Sequence, residues 1–507
     1  MNAPGDSRAT RIHQQHAAED LNMSGVDQLL NLLALVKNDG MAAFDEDDTQ
    51  RSVSDELHQD LLHTFRQYLD DATLCMVALV GVKTRLAKKI RRLKRRIAPL
   101  ALEHAIQKIP DDVLAHIFES GHQMTDNSLF TLRMSHVCRR FRQISLGMPT
   151  LWTRLASQHP IDRTKTWLSR SSNQDLQVDV CVFAPQMTAQ VQSFLKLVGP
   201  HSDRWSRLSY FTIPRVRDVM REFGFTNFPR LRYIAHQCLF QPGTFLYKWK
   251  MPLLKQFDGF CSEFPKHASL PYLSQLTRME LTFSSYDIFN MSSLFRALFK
   301  AKNRQHLSLE FQDCGDEEDE DLPSLEFPNT PFHMESLKVI LKGSIAIGFV
   351  RSLRLCLSCF TASVVDLSFL TNGDPYDFLE GEEDHYAFPH GSTIRLRMRN
   401  QCRLPKVLRL LLTNCETIQS IEFEMSAFDD DAGLSLNSVP YPSLRHIRFH
   451  NCVMFEEEHV EMLARTFLID TGDNDFPSLI IISCNKISED FILNLQDEVG
   501  GRLVWSV

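Results

Sequence analysis

The chain has 507 residues, too many for one compact domain, so we expect at least two folding units. It is 43% hydrophobic and 23% charged. Its formal net charge of −8 argues against a protein that binds nucleic acid over its whole surface. Only Cys356 and Cys359 stand in C-x-x-C spacing, and the longest apolar stretch, 72–82, is about half the roughly 20 residues of a membrane helix. We predict a soluble cytoplasmic or nuclear protein with no metal, no cofactor and no membrane partner.

Residues 1–50 are mostly polar and end in an acidic run at 45–48. One short helical pattern, 26–36, interrupts them. Because the rest has too few apolar residues to cover the entropy cost of folding, we predict a mostly disordered tail.

Residues 51–100 carry apolar residues at three- and four-residue steps, which predicts an amphipathic helical segment. Gly81 is expected to break it into two helices. A run of basic residues without any acidic one follows: Lys83, Arg85, Lys88, Lys89, Arg91, Arg92, Lys94, Arg95 and Arg96. It is interpreted as the solvated face of an amphipathic or coiled-coil helix, with a nuclear-import signal or a phosphate-binding patch as the alternatives.

Residues 104–158 have a different pattern. Pro110 suits the start of a helix, and Asp111 and Asp112 suit its first turn, where negative charge favours the helix dipole. Apolar side chains then form one face: Val113, Leu114, Ile117 and Phe118. Gly121 is expected to end this helix.

A second helix is predicted over 129–145, and Met148–Trp152 reads as a turn followed by a large aromatic anchor. So short a segment cannot bury apolar residues on more than one face of its helices by itself. We therefore expect this module to cover its surplus apolar surface with a second protein.

Three blocks carry a resemblance. Ile109-Pro110-Asp111-Asp112-Val113-Leu114-x-x-Ile117-Phe118, then Val137-Cys138-Arg139-Arg140-Phe141, then Pro149-x-Leu151-Trp152 resemble the F-box family, with Ile109 in place of its usual leucine and Asp112 in place of its usual glutamate. The basic helix before the box and the repeats after it are similar to large F-box families of mushroom-forming fungi.

The resemblance implies a three-helix module that docks on the adaptor subunit of an SCF-type cullin–RING ubiquitin ligase. It also implies the residues of that contact: Ile109, Pro110, Val113, Leu114, Ile117, Phe118, Leu132, Val137, Cys138 and Phe141. The alternative is a helical hairpin that belongs to the rest of the fold.

After Trp152 short apolar strands recur. Residues 444–452 match the leucine-rich-repeat pattern L-x-x-L-x-L-x-x-[NC], and looser copies start at 276, 364, 418 and 479. Further strands are predicted to start at 231, 254, 307, 337 and 394. Helical connectors are predicted at 291–301, 405–414 and 457–468. The fold class is therefore mixed: an all-α F-box module preceded by helices, and an α/β leucine-rich-repeat-like solenoid over 165–507, with a non-repeating α/β domain as the alternative.

Two strands of the predicted solenoid are expected to lie side by side and to place basic residues on its concave side: Arg395, Arg397, Arg399, His446, Arg448 and His450. Such a patch could bind an acidic or phosphorylated peptide, or it could be a solvated strand face.

The sequence lacks the motifs of common enzymes: no G-x-S-x-G elbow, phosphate-binding glycine loop or H-E-x-x-H pair occurs. We predict a non-catalytic, substrate-recruiting ligase subunit whose target is an unknown protein. The alternatives are an F-box scaffold that acts outside a ligase and a nuclear factor that uses its basic helix on nucleic acid.

Overall fold

The computed structural model describes these residues, together with isolated helical positions between 27 and 38: 55–125, 129–181, 187–212, 223–238, 246, 248–260, 270–284, 290–315, 330–371, 376–380, 388–399, 402–425, 443–469 and 478–506. The predicted disordered tail thus lies almost entirely outside the described residues. The chain divides into two compact units after Leu114.

The first helix, α1, runs from Asp55 to Lys108 without a break. The prediction that Gly81 separates two helices is therefore wrong. One glycine in a helix interior costs about 1 kcal/mol relative to alanine, which the hydrogen-bonded turns on both sides outweigh. Every side chain of the basic run, from Lys83 to Arg96, is exposed.

Four short elements build the module that the sequence places at 104–158. They are α2 (Asp111–Met124), α3 (Leu129–Ser135), α4 (Arg139–Leu146) and a 3₁₀ turn (Pro149–Trp152). Gly121 lies inside α2, so the prediction that it ends the helix is wrong. A Cβ at Gly121 would lie 2.6 Å from Cζ of Phe130, so the missing side chain makes room for that ring.

The single helix predicted over 129–145 is also wrong, because the chain breaks between α3 and α4. Cys138 has extended backbone angles (φ −157°, ψ 174°) and caps α4, its Sγ accepting the N–H of Phe141 at 3.5 Å. A side chain that satisfies one of the unpaired N–H groups of a new helix favours a helix start at that position.

The rest of the described chain contains fourteen parallel strands that pair in sequence order. They are β1 (Arg154–Ala156), β2 (Leu176–Cys181), β3 (Trp205–Thr212), β4 (Tyr233–Cys238), β5 (Gln256–Phe260), β6 (Arg278–Ser284), β7 (His306–Gln312), β8 (Phe332–Gly343), β9 (Phe360–Thr371), β10 (Gly391–Met398), β11 (Ser420–Met425), β12 (His446–His450), β13 (Ser478–Ile482) and β14 (Leu503–Ser506).

One buried apolar residue from every strand stands in register with the next, so that a continuous column runs the length of the sheet. Each member is at most 2% exposed: Leu155, Val178, Leu208, Ile234, Phe257, Met279, Leu307, Leu337, Val365, Ile394, Ile421, Ile447, Leu479 and Leu503. Each repeat thus buries its apolar edge on its neighbours, as a solenoid requires.

Eight helices connect strands within the described residues: α5 (Ile161–Arg170), α6 (Thr188–Val198), α7 (Met291–Lys300), α8 (Ile347–Leu357), α9 (Tyr376–Leu379), α10 (Leu404–Asn414), α11 (Glu457–Ala464) and α12 (Glu489–Val499). The mixed fold class is confirmed: a helical N-terminal region precedes a parallel, leucine-rich-repeat-like solenoid. None of the described helices combines the length and apolar content that crossing a bilayer requires.

Candidate functional site

The helix α2 separates its apolar residues into two sets. Leu114 and Phe118 are buried, with 3% and 1% of their surface exposed, whereas Val113 and Ile117 are 42% and 50% exposed. The members of each pair are four residues apart, so each pair lies on its own face of the helix. Val113 and Ile117 thus leave one apolar face of α2 exposed.

A third exposed apolar residue, Val137, precedes α4 and has 59% of its surface exposed. Phe141, on α4, is buried instead. It is 7% exposed, and the centre of its ring lies 4.8 Å from that of Phe118 on α2. The core of the module is therefore closed at the contact of α2 with α4, while apolar side chains remain outside it.

The predicted adaptor-binding residues thus divide by exposure. Those that are exposed are Pro110, Val113, Ile117, Val137 and Cys138; Ile109 and Leu132 are half-buried; Leu114, Phe118 and Phe141 are buried. Only the exposed and half-buried members can touch another protein directly, so the buried three would act by holding the helices in place. Their role in binding remains a prediction.

The aromatic anchor predicted at the end of the module is fully buried. The indole N–H of Trp152 donates to the carbonyl of Ser145 at 2.8 Å, and its ring packs edge-on against Trp167 of α5 at 5.7 Å. The guanidinium of Arg170 lies 4.5 Å above the same ring, within the range of a cation–π contact. Trp152 therefore connects the module to the first connecting helix of the solenoid.

Another buried group at this junction is His122, on α2. Its ring nitrogen Nδ1 lies 3.4 Å from the hydroxyl of Thr131, which donates to the carbonyl of Leu151 at 2.8 Å. Burial, together with the positive charge of Arg154, lowers the pKa of His122 to about 4. The histidine is consequently neutral at physiological pH and serves as a polar member of the core.

A cluster of short helices with exposed apolar side chains thus precedes a parallel-strand solenoid. Comparison with protein-family models agrees: residues 106–158 match the model described as F-box-like. The chain therefore contains an F-box-like domain, followed by a long α/β region consistent with leucine-rich repeats. A search of the curated proteins with this chain gives no match.

The predicted basic patch of the solenoid is arranged differently from the expectation. Its two strands, β10 and β12, are not adjacent, because β11 pairs with both. The prediction of one basic surface was wrong, because β11 lies between the two strands. It carries two carboxylates, Glu422 and Glu424, in register with their arginines.

These carboxylates pair with the arginines on either side. The Arg395 guanidinium donates to Glu422 at 2.8 Å, and Arg448 reaches the same carboxylate at 3.2 Å. Arg397 donates to Glu424 at 2.8 Å, a hydrogen bond that raises the pKa of Arg397. The surface is therefore a ladder of alternating charges and not a uniformly basic patch.

The other basic residues of the set are also exposed: Arg399 directly follows β10, and His446 and His450 lie on β12. The His446 ring contacts the hydroxyl of Ser478 on β13 at 2.8 Å. Beside His450 the polar ladder gives way to apolar side chains, since Ile480 and Ile482 of β13 are only half-buried and Val504 of β14 is 45% exposed. Charged and apolar contacts are thus available together to a bound protein.

A second concave region on the sheet, between β3 and β6, was not identified from the sequence. The Tyr233 hydroxyl donates to Asp258 at 2.6 Å, and the Arg207 guanidinium lies 3.8 Å from the centre of the Tyr233 ring. Burial, and then the bond to Asp258, raises the pKa of Tyr233. Gly259, next to Asp258, also lines this region.

This second region brings together an aromatic ring, a carboxylate and a cation. Within the described parts of the chain, no three histidine, cysteine or acidic side chains are grouped so that they could hold a metal ion. The alternation of polar residues along β4 and β5 could have indicated the region, but the sequence alone does not show which strands are neighbours.

Proposed function

We propose that this protein is a substrate-recruiting subunit of an SCF-type cullin–RING ubiquitin ligase. In this proposal the F-box-like domain docks on the adaptor subunit, and the solenoid holds a protein target. The observation that carries the proposal is the pair of exposed apolar side chains on α2, Val113 and Ile117, within a domain whose core is already closed.

Burial of the exposed apolar side chains on α2 and before α4 would supply energy for such a contact. Burying a large aliphatic side chain contributes about 1.5–3 kcal/mol, so three half-exposed residues such as Val113, Ile117 and Val137 would together contribute several kcal/mol. The polar Asp111 and Asp112 at the start of α2 flank this face and would form the rim of the interface.

The chain contributes proximity and no chemistry of its own in this proposal. Ubiquitin transfer is carried out by other subunits of the ligase, and a target bound to the solenoid is held near them. Such tethering replaces a bimolecular encounter by an effectively unimolecular one, which is worth several orders of magnitude in rate. The ladder of Arg395, Arg397 and Arg448 is the proposed surface for a target that carries acidic groups.

The test compares exposed with buried positions in full-length protein. Ile117→Asp combined with Val137→Asp should lower the affinity for the adaptor at least ~100-fold, because both charges would be desolvated in the contact. The control, His116→Asp with Arg142→Asp, changes two exposed positions of α2 and α4 that are outside the apolar set. It should bind normally.

Affinity purification of intact protein and both variants, followed by detection of the adaptor and the cullin, reads out the result. Loss of both subunits in the Ile117→Asp, Val137→Asp variant alone, with unchanged circular dichroism, supports the proposal. Equal recovery of the adaptor by all three proteins contradicts the assigned face. Recovery of the adaptor without a cullin favours a scaffold outside a ligase.

A further inference from the structure

The helix α1 carries an exposed stripe of apolar residues that is interrupted only by Lys83. From residue 65 to residue 97 the spacing alternates strictly between four and three residues. We call these positions the seam: Phe65, Leu69, Ala72, Met76, Leu79, Lys83, Leu86, Ile90, Leu93 and Ile97. Its eight large apolar side chains are 45–66% exposed.

The chain covers a different side of this helix. Ala78 is only 4% exposed, and Leu74 and Gly81 are half-buried. These three positions lie roughly opposite the seam on a helix with 3.6 residues per turn. The exposed seam is therefore a separate surface, available to another molecule.

The spacing of the seam selects a helix as its occupant. A strict seven-residue repeat drifts by about 20° per heptad on a straight α-helix, or roughly 90° between Phe65 and Ile97. A flat surface such as a membrane could then contact only part of the seam. A second helix that winds around the first follows it along its whole length, as in a coiled coil.

The charges along α1 select the direction of that second helix. The basic run from Lys83 to Arg96 contains nine cations and no carboxylate, whereas Asp70 and Asp71 precede it. A parallel copy would set the two basic runs side by side and would place Lys83 against Lys83 within the apolar interface. Both contacts are repulsive, and the interface would exclude the water that normally screens them.

An antiparallel second copy avoids both contacts. If the centre of the pair lies at the height of Gly81 along the helix axis, the seam maps onto itself in five types of layer: Phe65 with Ile97, Leu69 with Leu93, Ala72 with Ile90, Met76 with Leu86, and Leu79 with Lys83. Asp70 and Asp71 then lie at the height of Arg92 and Arg91 of the second copy. Small Ala72 meets bulky Ile90, an alternation that suits close packing.

We propose that two copies of this chain associate through α1 as an antiparallel coiled coil centred at the height of Gly81. The exposed valines beside the centre, Val80 and Val82, widen the apolar contact there. The F-box-like domain and the solenoid take no part in the seam, so each copy would keep its own adaptor-binding and target-binding surfaces.

The first test is the mass of the full-length chain in solution, measured by light scattering at low-micromolar concentration. The expected mass is twice that of the 58.4 kDa chain. Leu86→Asn with Leu93→Asn should raise the dimer dissociation constant at least ~100-fold, because it places amides in two layers of the interface. The matched control, Lys88→Asn with Arg95→Asn, changes two exposed positions outside the seam and should remain dimeric.

A monomeric wild-type chain, or a dimer that survives the Leu86→Asn, Leu93→Asn change, overturns the proposal. If the Lys88→Asn, Arg95→Asn control also dissociates, the basic run and not the seam drives association, which overturns it as well. Circular dichroism of each variant separates loss of association from loss of the helix.

The second test fixes the direction. In a background with Cys75→Ser and Cys138→Ser, a mixture of Leu69→Cys and Leu93→Cys chains should form a disulfide-linked dimer under mild oxidation. Leu93→Cys alone should not, because its two copies lie at opposite ends of an antiparallel pair. Efficient cross-linking of Leu93→Cys with itself would show a parallel pair and refute the proposed arrangement.

Discussion

Replacing Gly391 by alanine tests the packing between neighbouring repeats. Gly391 stands at the start of β10, in register with Ala362 of β9. A Cβ at this position would lie 2.7 Å from the carbonyl oxygen of Ala362 and 2.9 Å from Cγ2 of Val365. Both distances are shorter than van der Waals contact, and the first involves backbone that cannot rotate away.

Two effects of Gly391→Ala oppose each other. Alanine reduces the conformational freedom of the unfolded chain, which stabilises a protein by about 0.4–1 kcal/mol. The clash requires β9 and β10 to separate, although the Ala362 N–H donates to the carbonyl of His390 at 3.0 Å across the same gap, and overpacking of this kind costs about 1–3 kcal/mol. We therefore expect a net loss of about 1–2 kcal/mol.

Urea unfolding followed by circular dichroism measures the loss, and hydrogen exchange locates it. In a solenoid each repeat contacts only its neighbours, so amides of β9 and β10 should exchange faster than those of distant strands. The control is Gly501→Ala, where nothing lies within 4 Å of the new Cβ and the stability should change by less than about 0.5 kcal/mol. Equal stability of the Gly391→Ala variant and wild type would refute the packing argument.

Three further predictions concern other parts of the fold. Burial lowers the pKa of His236 to about 4 from 6.5. Between pH 6.5 and 4 the unfolded chain therefore binds more protons than the folded one, and stability falls by about 1 kcal/mol between pH 7.5 and 5.5. His236→Phe should remove this component of the pH dependence in thermal unfolding. Trp152→Phe, which loses the hydrogen bond to Ser145, should cost about 1–3 kcal/mol in urea unfolding. Glu422→Gln should cost no more than about 1 kcal/mol by the same measurement, because its arginine partners are half-exposed.

The sequence predicted most strands of the solenoid, because the signal for each strand lies within that strand's own residues. The ten predicted strand positions, from 231 to 479, correspond to β4 through β13. The connectors predicted at 291–301, 405–414 and 457–468 correspond to α7, α10 and α11. The strands β1, β2, β3 and β14 were missed. β1 and β14 have only three and four residues, β2 has apolar residues at every second position, and β3 has Trp205 and Tyr210 where the repeat pattern has leucine.

The errors arose where a tertiary contact decides local structure. Gly121 resembles a helix end in sequence, but it lies within α2 because the ring of Phe130 needs the space. The break at Cys138 depends on a thiol that caps α4, which residue propensity does not indicate. In the first case the deciding contact joins two residues that are apart in sequence. In the second case the residue that caps the helix is of an unusual type.

The misplaced basic patch changes what a target must offer to the solenoid. Strands that are two positions apart in the sheet cannot form one basic surface when the strand between them carries carboxylates. Glu422 already accepts hydrogen bonds from Arg395 and Arg448, so an acidic peptide would have to exchange with this carboxylate instead of meeting free cations. Each acidic group of the peptide would replace an existing ion pair, so it would add little net binding energy. Only a ligand whose acidic groups match the spacing of the ladder would be accepted. The half-buried apolar side chains of β13 would then supply the affinity, while the paired charges would supply the selectivity.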